Sequence, residues 1–255
     1  MSGGLAQRLR RRLSRRSAED PLAIAYRQLE KLDPEDREIA RLALPFTMTG
    51  VPRLQALIDA VRYCEARGVP GSFAECGVWR GGSVLAMIHT LQSLGVEDRE
   101  VYLYDTFTGM TEPTELDSSP YYRPALELWE EAAGRPFPEF FAPEILNEDS
   151  VREVVLATGY PAGRIHFVRG PVEETLPGQS PGQLALLRLD TDWYESTRHE
   201  LVHLYPLLEP GGVLIIDDYG HWDGARRAVD EYFGAEAPQV LLNRIDYAGR
   251  IAIKA

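Results

Sequence analysis

A short apolar run that ends in a glycine-rich turn decides the fold of this chain; it lies at residues 72–83, which read SFAECGVWRGGS. The run Ser72–Gly77 predicts a strand, and the segment Gly81–Leu94 after it predicts a helix. Glycines at positions 77, 81 and 82 permit a tight turn and a close approach of the backbone to a ligand. The spacing is not G-x-G-x-x-G, so the pyrophosphate-binding fingerprint matches poorly.

The same alternation of strand and helix continues toward the C-terminus. Further strands are predicted at Val101–Asp105, Ile165–Arg169, Leu184–Asp190 and Gly212–Asp217, and helices at Ser150–Ala157, Ser196–Leu208 and Trp222–Phe233. Residues 240–245 and 250–254 predict a closing hairpin. This pattern indicates an α/β fold with a mostly parallel sheet, covered on both faces and completed by one antiparallel strand.

The chain divides into three predicted parts. Residues 1–20 form a flexible Arg-rich tail, residues 21–70 form an N-terminal helical segment, and residues 71–255 form the strand–helix domain. The Pro-rich stretch 106–145, with a predicted helix near Tyr122–Ala133, is too long for an ordinary connection. We therefore expect it to be a lid or insertion.

Composition excludes several classes of protein. The net charge of the chain is −12. Since the tail carries +4, the remaining 235 residues carry −16, and a body this acidic would repel nucleic acid. Apolar runs are far shorter than the roughly 18 residues that cross a bilayer. With no secretory signal visible, we expect a reducing compartment, the cytoplasm. Cys64 and Cys76 lack zinc-site spacing, so both are predicted core residues.

Acidic side chains follow the first two strands of the domain. In open α/β sheets, ligands bind beyond the carboxyl ends of the strands. Glu75 would repel a pyrophosphate and suits a cationic group, such as an amine or a sulfonium. Asp105 could accept hydrogen bonds from ribose hydroxyls; the alternative is that it caps the next loop through an Asx-turn.

Four more carboxylates follow the strands before and after helix 196–208: Asp190, Asp192, Asp217 and Asp218. Neighbouring parallel strands would bring them to one edge, where they cannot all stay ionised unless a cation joins them. Hard oxygen ligands without a nearby cysteine favour Mg²⁺, with Mn²⁺ or Ca²⁺ open. The alternative is that each acid caps a following helix.

Taken together, four motifs resemble the macrocin O-methyltransferase family: Glu75–Ser83, Asp105–Gly109, Asp190–Thr197 and Ile216–Gly220. Members methylate sugar hydroxyls of antibiotics with S-adenosyl-L-methionine and Mg²⁺. The resemblance implies a seven-stranded, Rossmann-like class I methyltransferase sheet whose last strand is antiparallel. It also implies a small-molecule glycoside substrate and a homo-oligomer. Thr106 and Thr108 stand where relatives usually have Ser and Glu, and this departure leaves the substrate open.

The resemblance assigns roles to residues. Those around the cofactor would be Glu75, Gly77, Arg80, Gly81 and Ser83, with Asp105 on the ribose. Asp190, Asp217 and Asp218 would hold the metal. A divalent ion lowers the pKa of an oxygen that it binds, and a carboxylate can then take the proton. Since the chain has only two lysines, Lys31 and Lys254, Asp192 is the better candidate base.

Two other classes of function compete with this one. His199-Glu200-Leu201-Val202-His203 matches the H-E-x-x-H zinc-hydrolase signature. We expect both histidines to lie off the apolar stripe of their helix and to face solvent, with no third ligand downstream. The other alternative is a catalytically silent subunit that binds S-adenosyl-L-methionine. Aromatic residues near the site could stack on a sugar or simply pack: Trp193, Tyr194, Tyr219 and Trp222.

Overall fold

The computed structural model describes residues 21–121, 123–132, 146–236 and 239–255. The predicted tail 1–20 and part of the predicted lid, 133–145, lie outside the described residues. Among the described helices, none combines the length and apolar character needed to cross a membrane.

Among the described residues, three α-helices precede the sheet: α1 (Pro21–Leu29), α2 (Pro34–Ala43) and α3 (Val51–Arg67). Pro34 occupies the first turn of α2, where its missing N–H costs nothing. One apolar face of α3 is buried, and Gly68 ends the helix in the left-handed region at φ 62°. These helices pack onto one face of the sheet and bring α3 to its carboxyl edge.

Seven strands form one sheet: β1 (Ser72–Cys76), β2 (Val101–Asp105), β3 (Ile165–Arg169), β4 (Leu184–Leu189), β5 (Leu208–Ile216), β6 (Asn243–Arg244) and β7 (Arg250–Ile253). Their spatial order is β3-β2-β1-β4-β5-β7-β6. The first five strands pair in parallel, and β7 runs antiparallel to β5. The predicted fold class is confirmed.

In the part of the chain that the structure describes, the other α-helices are α4 (Gly82–Ser93), α5 (Ala125–Ala132), α6 (Glu148–Leu156), α7 (Val172–Thr175), α8 (Tyr194–His203) and α9 (Asp223–Glu231). Two apolar clusters cover the two faces of the sheet. Along β5, Val213 and Ile215 belong to one cluster while Leu214 and Ile216 belong to the other. This period-two division is the reason that the strands read as continuous apolar runs.

Several boundaries differ from the prediction. The helix predicted at Ser196–Leu208 ends at His203 and is followed by a 3₁₀ turn at Tyr205–Leu207, because Pro206 cannot continue an α-helix. β5 begins at Leu208, four residues before its predicted start. The closing hairpin is present, but its first strand has only the two residues Asn243–Arg244.

Candidate active site

A cavity of about 530 Å³ opens at the carboxyl ends of β1, β2, β4 and β5. Most of the predicted site residues line it: Glu75, Gly77, Ser83, Asp105, Asp190, Asp192, Asp217 and Asp218. Arg80 and Gly81 are predicted cofactor residues outside that lining. The Arg80 guanidinium lies 5.3 Å from the centre of the Phe46 ring and donates to the Pro45 carbonyl at 3.3 Å.

The turn after β1 is pressed against the loop after β4. Gly77 has φ 81°, and a Cβ on it would lie 2.0 Å from the Asp190 carbonyl oxygen. The Asp190 N–H donates to the Cys76 carbonyl at 2.9 Å, which joins the two loops. Only glycine fits this close approach, so Gly77 fixes the place of Asp190 beside the cavity.

Glu75 is a buried carboxylate on the cavity wall, with 1% of its surface exposed. Burial raises its pKa to about 7, although the Arg188 guanidinium that it pairs with opposes the shift. Its Oε2 atom is buried without a hydrogen-bond partner of ordinary geometry among the described residues, although the nearby Ser83 side chain helps to lower the pKa of the carboxyl. An unsatisfied anionic oxygen at this place fits a cationic ligand group.

Asp105 joins the loops after β1 and β2. Its Oδ2 accepts the backbone N–H groups of Val78 at 2.7 Å and Trp79 at 3.0 Å, and its Oδ1 accepts the N–H of Phe107 at 2.7 Å. The last bond is the Asx-turn that the sequence offered as the alternative role. Asp105 also lines the cavity, so the loop-capping role does not remove it from the site.

Asp190, Asp217 and Asp218 come together as expected from their strand ends. One carboxylate oxygen of each lies within 4.8 Å of the others. Burial raises the pKa of Asp190 and of Asp218 well above the usual value for aspartate. Asp218 Oδ2 is buried with no hydrogen-bond partner among the described residues. An orphaned buried oxygen within three hard ligands fits a divalent cation such as Mg²⁺.

Arg188 is a residue of this site that the sequence analysis missed. Its side chain is 1% exposed; Nη1 contacts Glu75 and lies 2.7 Å from Asp190, while Nη2 lies 2.5 Å from Asp217 Oδ1 and 2.7 Å from the Thr49 hydroxyl. A charged residue inside the apolar run of β4 was the available signal, because arginine is almost never fully buried unless it is paired.

Arg53 supplies a second positive charge from α3. Its Nη1 pairs with Asp217 Oδ2, and its Nε lies 3.1 Å from Asp246. Burial would raise the pKa of Asp217, but Arg188 and Arg53 outweigh burial and lower it. No local pattern in the sequence indicates this contact, which spans 164 residues. The sequence analysis expected a cation to neutralise these acids. In the structure, the guanidinium groups of Arg53 and Arg188 supply two positive charges beside them.

Asp192 lies in the β4–α8 loop, two residues after Asp190. It adopts φ 66°, a left-handed conformation that is unusual for a residue with a side chain. The Trp222 indole N–H donates to its Oδ1 at 2.7 Å. Burial, together with the nearby Asp190 charge, raises the pKa of Asp192 to about 8. This carboxyl is therefore oriented and can exchange a proton near neutral pH.

The aromatic residues near the site are mostly structural. Trp193 and Trp222 are 2% and 8% exposed, and their ring centres lie 4.9 Å apart in an edge-to-face contact. The hydroxyls of Tyr194 and Tyr219 bond to Glu231 and Asp230 on α9. Trp193 and Trp222 also line the cavity, so stacking on a sugar stays a prediction for these two, whereas Tyr194 and Tyr219 are not part of the lining.

The H-E-x-x-H motif does not form a zinc site. Among the described residues, the aspartate cluster is the one group of three or more metal-type ligands. His199 is half-buried rather than solvent-facing, and its Nε2 lies 3.2 Å from the Leu176 carbonyl. Glu200 is fully buried and accepts a hydrogen bond from Thr191. The zinc-hydrolase alternative has no support in this geometry.

The strand order and the acid-lined cavity at the carboxyl edge define a class I methyltransferase, the fold of S-adenosyl-L-methionine-dependent enzymes. The sequence profile of the family described as Macrocin-O-methyltransferase (TylF) matches residues 7–252. The chain belongs to this family, and it is an O-methyltransferase.

Relatives carry the same activity in their names. The 8-demethyl-8-(2,3-dimethoxy-alpha-L-rhamnosyl)-tetracenomycin-C 4'-O-methyltransferase of Streptomyces olivaceus is 38% identical over 203 residues, 80% of this chain and 73% of the relative. The mycinamicin III 3''-O-methyltransferase of Micromonospora griseorubida is 34% identical, over 73% of this chain and 69% of the relative. The solved structure of the O-methyltransferase NovP superposes with a TM-score of 0.70 at 31% identity, over 82% of each chain.

Proposed function

We propose that this enzyme transfers a methyl group from S-adenosyl-L-methionine to a sugar hydroxyl of a glycosylated natural product, such as an antibiotic, with the help of Mg²⁺. A rhamnosyl group stands in the name of one relative, and mycinamicin III in that of another. The observation that carries the metal part of the proposal is the aspartate cluster with its orphaned Asp218 oxygen.

The cofactor would lie over the glycine-rich turn. Glu75 presents a buried carboxylate oxygen that suits the ammonium or sulfonium group, and Gly77 lets the turn pack directly against the Asp190 carbonyl. Ser83 and Asp105 line the same cavity, and Asp105 would bind the ribose. Arg80 and Gly81 lie outside this lining, so we assign them to the shape of the turn rather than to direct cofactor contact.

Asp190, Asp217 and Asp218 would hold the divalent cation. A bound cation would supply positive charge beside the acceptor hydroxyl and make it more acidic. Residues of the protein accept the proton and position the reactants at this edge of the sheet. Asp192, oriented by Trp222, takes the hydroxyl proton. Gly77 and Asp105 position the loops that follow β1 and β2. Their positions matter because methyl transfer requires the oxygen, the methyl carbon and the sulfur to be in line.

Asp218→Asn tests this proposal most directly, because Asp218 has no arginine partner among the described salt bridges and the change keeps its shape. We expect Mn²⁺ binding, followed by calorimetry, to weaken at least tenfold and methyl transfer to fall by orders of magnitude. Binding of S-adenosylhomocysteine should stay within twofold. Asp223→Asn, an exposed acid at the start of α9, is the matched control. Normal Mn²⁺ binding by Asp218→Asn would contradict the metal assignment.

We further infer a homo-oligomer working in the cytoplasm. Cys64 and Cys76 are free and buried, which suits a reducing compartment, and burial raises the pKa of the Cys64 thiol to about 12. The oligomer rests on analogy with the family. Sedimentation of the full chain tests it, and a monomer at every concentration would contradict it.

A further inference from the structure

The H-E-x-x-H motif of α8 leaves one buried group without a role, the carboxyl of Glu200. Its residue is 0% exposed, and its Oε1 accepts a hydrogen bond from the Thr191 hydroxyl at 2.9 Å. Thr191 stands between Asp190 and Asp192 in the loop that joins β4 to α8. The acidic residue of the motif therefore contacts the β4–α8 loop, at a residue nine positions before it in the sequence.

The β4–α8 loop has a demanding backbone. Asp192 holds a positive φ, the Trp193 N–H donates to the Thr191 carbonyl at 2.7 Å, and the Asp190 carbonyl meets Gly77. Residues in such conformations persist only when their surroundings hold them. Two side chains of α8 contact the middle of this loop: Glu200 accepts a hydrogen bond from the Thr191 hydroxyl, and the Ser196 hydroxyl donates to the Thr191 carbonyl at 3.3 Å. The first of these is the contact made by the Thr191 side chain.

A carboxyl group is a costly choice at the position of Glu200. Besides Thr191, it interacts with the Cys76 thiol, a weak hydrogen-bond donor, and its Oε2 has no partner of ordinary geometry among the described residues. Burying a polar group without full hydrogen bonding opposes folding, so an apolar side chain would serve packing better. The acceptor for Thr191 is what an apolar side chain cannot supply.

We propose that Glu200 is a positioning residue of the methyltransferase, which fixes the loop Asp190–Trp193 through the Thr191 hydroxyl and thereby sets Asp190 and Asp192 at the cavity. This inference rests on the proposed function for the roles of the two aspartates. Glu200 itself touches neither substrate nor cofactor.

Four variants test the contact. Thr191→Val and Glu200→Met each remove it with little change of volume, whereas Thr191→Ser and Glu200→Gln retain a donor and an acceptor. We expect the first pair to lower kcat about tenfold, to leave KM for S-adenosyl-L-methionine unchanged, and to weaken Mn²⁺ binding several-fold. The second pair should stay within twofold of the wild type. The double variant Thr191→Val/Glu200→Met should be no worse than either single variant, because both remove one contact.

Thr90→Val is the matched control. The Thr90 hydroxyl, also fully buried, donates to the Ala86 carbonyl at 2.7 Å within α4, away from the cavity. It should lower Tm without moving kcat. A folded Thr191→Val or Glu200→Met variant with wild-type kcat or Mn²⁺ affinity would overturn the proposal. If the wild type methylated no glycoside, the proposed function would fail, while the Mn²⁺ measurements would still decide the role of Glu200.

Discussion

Arg188 shows how one residue can organise a site. Its guanidinium lies among Glu75, Asp190 and Asp217, so it connects the glycine-rich turn after β1 with the aspartate cluster. Breaking a buried ion pair by removing one partner leaves uncompensated charge, which is far more costly than never burying the pair. Arg188 therefore neutralises part of the negative charge of these acids.

Replacing Arg188 by Met should destabilise the protein strongly. We expect a loss of about 3–5 kcal/mol, the usual cost of leaving buried charges unpaired, measured by urea unfolding. Arg123→Met is the control, because Arg123 pairs with Glu127 and Glu131 on an exposed surface, where the loss of an ion pair has little effect on stability. Equal losses from the two variants would show that Arg188 does not bear the charge of the site.

Arg53 should compete with a divalent cation, because it occupies an oxygen of Asp217. Arg53→Met frees that oxygen and removes a positive charge, so we expect Mn²⁺ to bind several-fold more tightly at low ionic strength, as measured by calorimetry. Arg62→Met, on the same helix but paired with Asp36 and Glu35, should leave Mn²⁺ affinity unchanged. Weaker binding by Arg53→Met would mean that Arg53 orients Asp217 instead.

At the scale of elements, the site depends on loops that press against one another. The turn after β1, the loop after β2 and the loop after β4 are joined by the bonds of Asp105 and by the contact of Gly77 with Asp190. Trp79, Phe107 and Asp192, one in each loop, have positive φ values. Because these three turns are tight, the residues at the ends of β1, β2 and β4 lie close together and line the same cavity.

Gly77→Ala separates the two reasons for a glycine. A Cβ added at Gly77 would lie 2.0 Å from the Asp190 carbonyl oxygen. A Cβ added at Gly95, which has a similar φ of 71°, would have no neighbour within 4 Å. Gly95→Ala should cost only the strain of about 1–2 kcal/mol. Gly77→Ala should lose more stability and also S-adenosylhomocysteine binding, as followed by thermal unfolding and calorimetry. Similar effects of the two variants would exclude the close approach as the cause.

At the scale of the whole molecule, the buried acids make stability depend on pH. Burial raises the pKa of Glu75 to about 7 and that of Asp192 to about 8. Between the ordinary carboxyl values near 4 and these values, the folded protein binds more protons than the unfolded chain. The stability contributed by these two groups is therefore present at low pH and is lost as the pH rises from about 4 to 8.

A divalent cation needs deprotonated ligands, and burial raises the pKa of Asp190 and Asp218, so its binding should strengthen as the pH rises. We expect the rise in Tm caused by Mg²⁺ to grow from pH 6 to pH 8.5, measured by thermal unfolding at constant ionic strength. The Asp218→Asn variant should show a small rise that does not depend on pH. A Mg²⁺ effect that shrinks toward high pH would contradict the proposed linkage.

Local patterns were enough to predict much of this molecule. The alternation of strands and helices gave the sheet, because burial on both faces requires continuous apolar strands. The acids at Asp190, Asp217 and Asp218 were placed correctly, because parallel strands end at one edge. Helix ends were less accurate where a proline or a two-residue strand decided them, as at Pro206 and Asn243–Arg244.

Contacts between distant parts of the chain decided the rest. Arg53 meets Asp217 across 164 residues and Arg188 meets Glu75 across 113, and no periodicity in the sequence encodes such a pairing. Glu200 is the clearest case: its motif matches a zinc-hydrolase signature, whereas in the folded protein its carboxyl accepts a hydrogen bond from Thr191. Residue types and their order along the chain thus fix the elements and the chemistry available at the sheet edge. Which charges neutralise one another depends on three-dimensional packing, because electrostatic energy follows distance in space and the local dielectric.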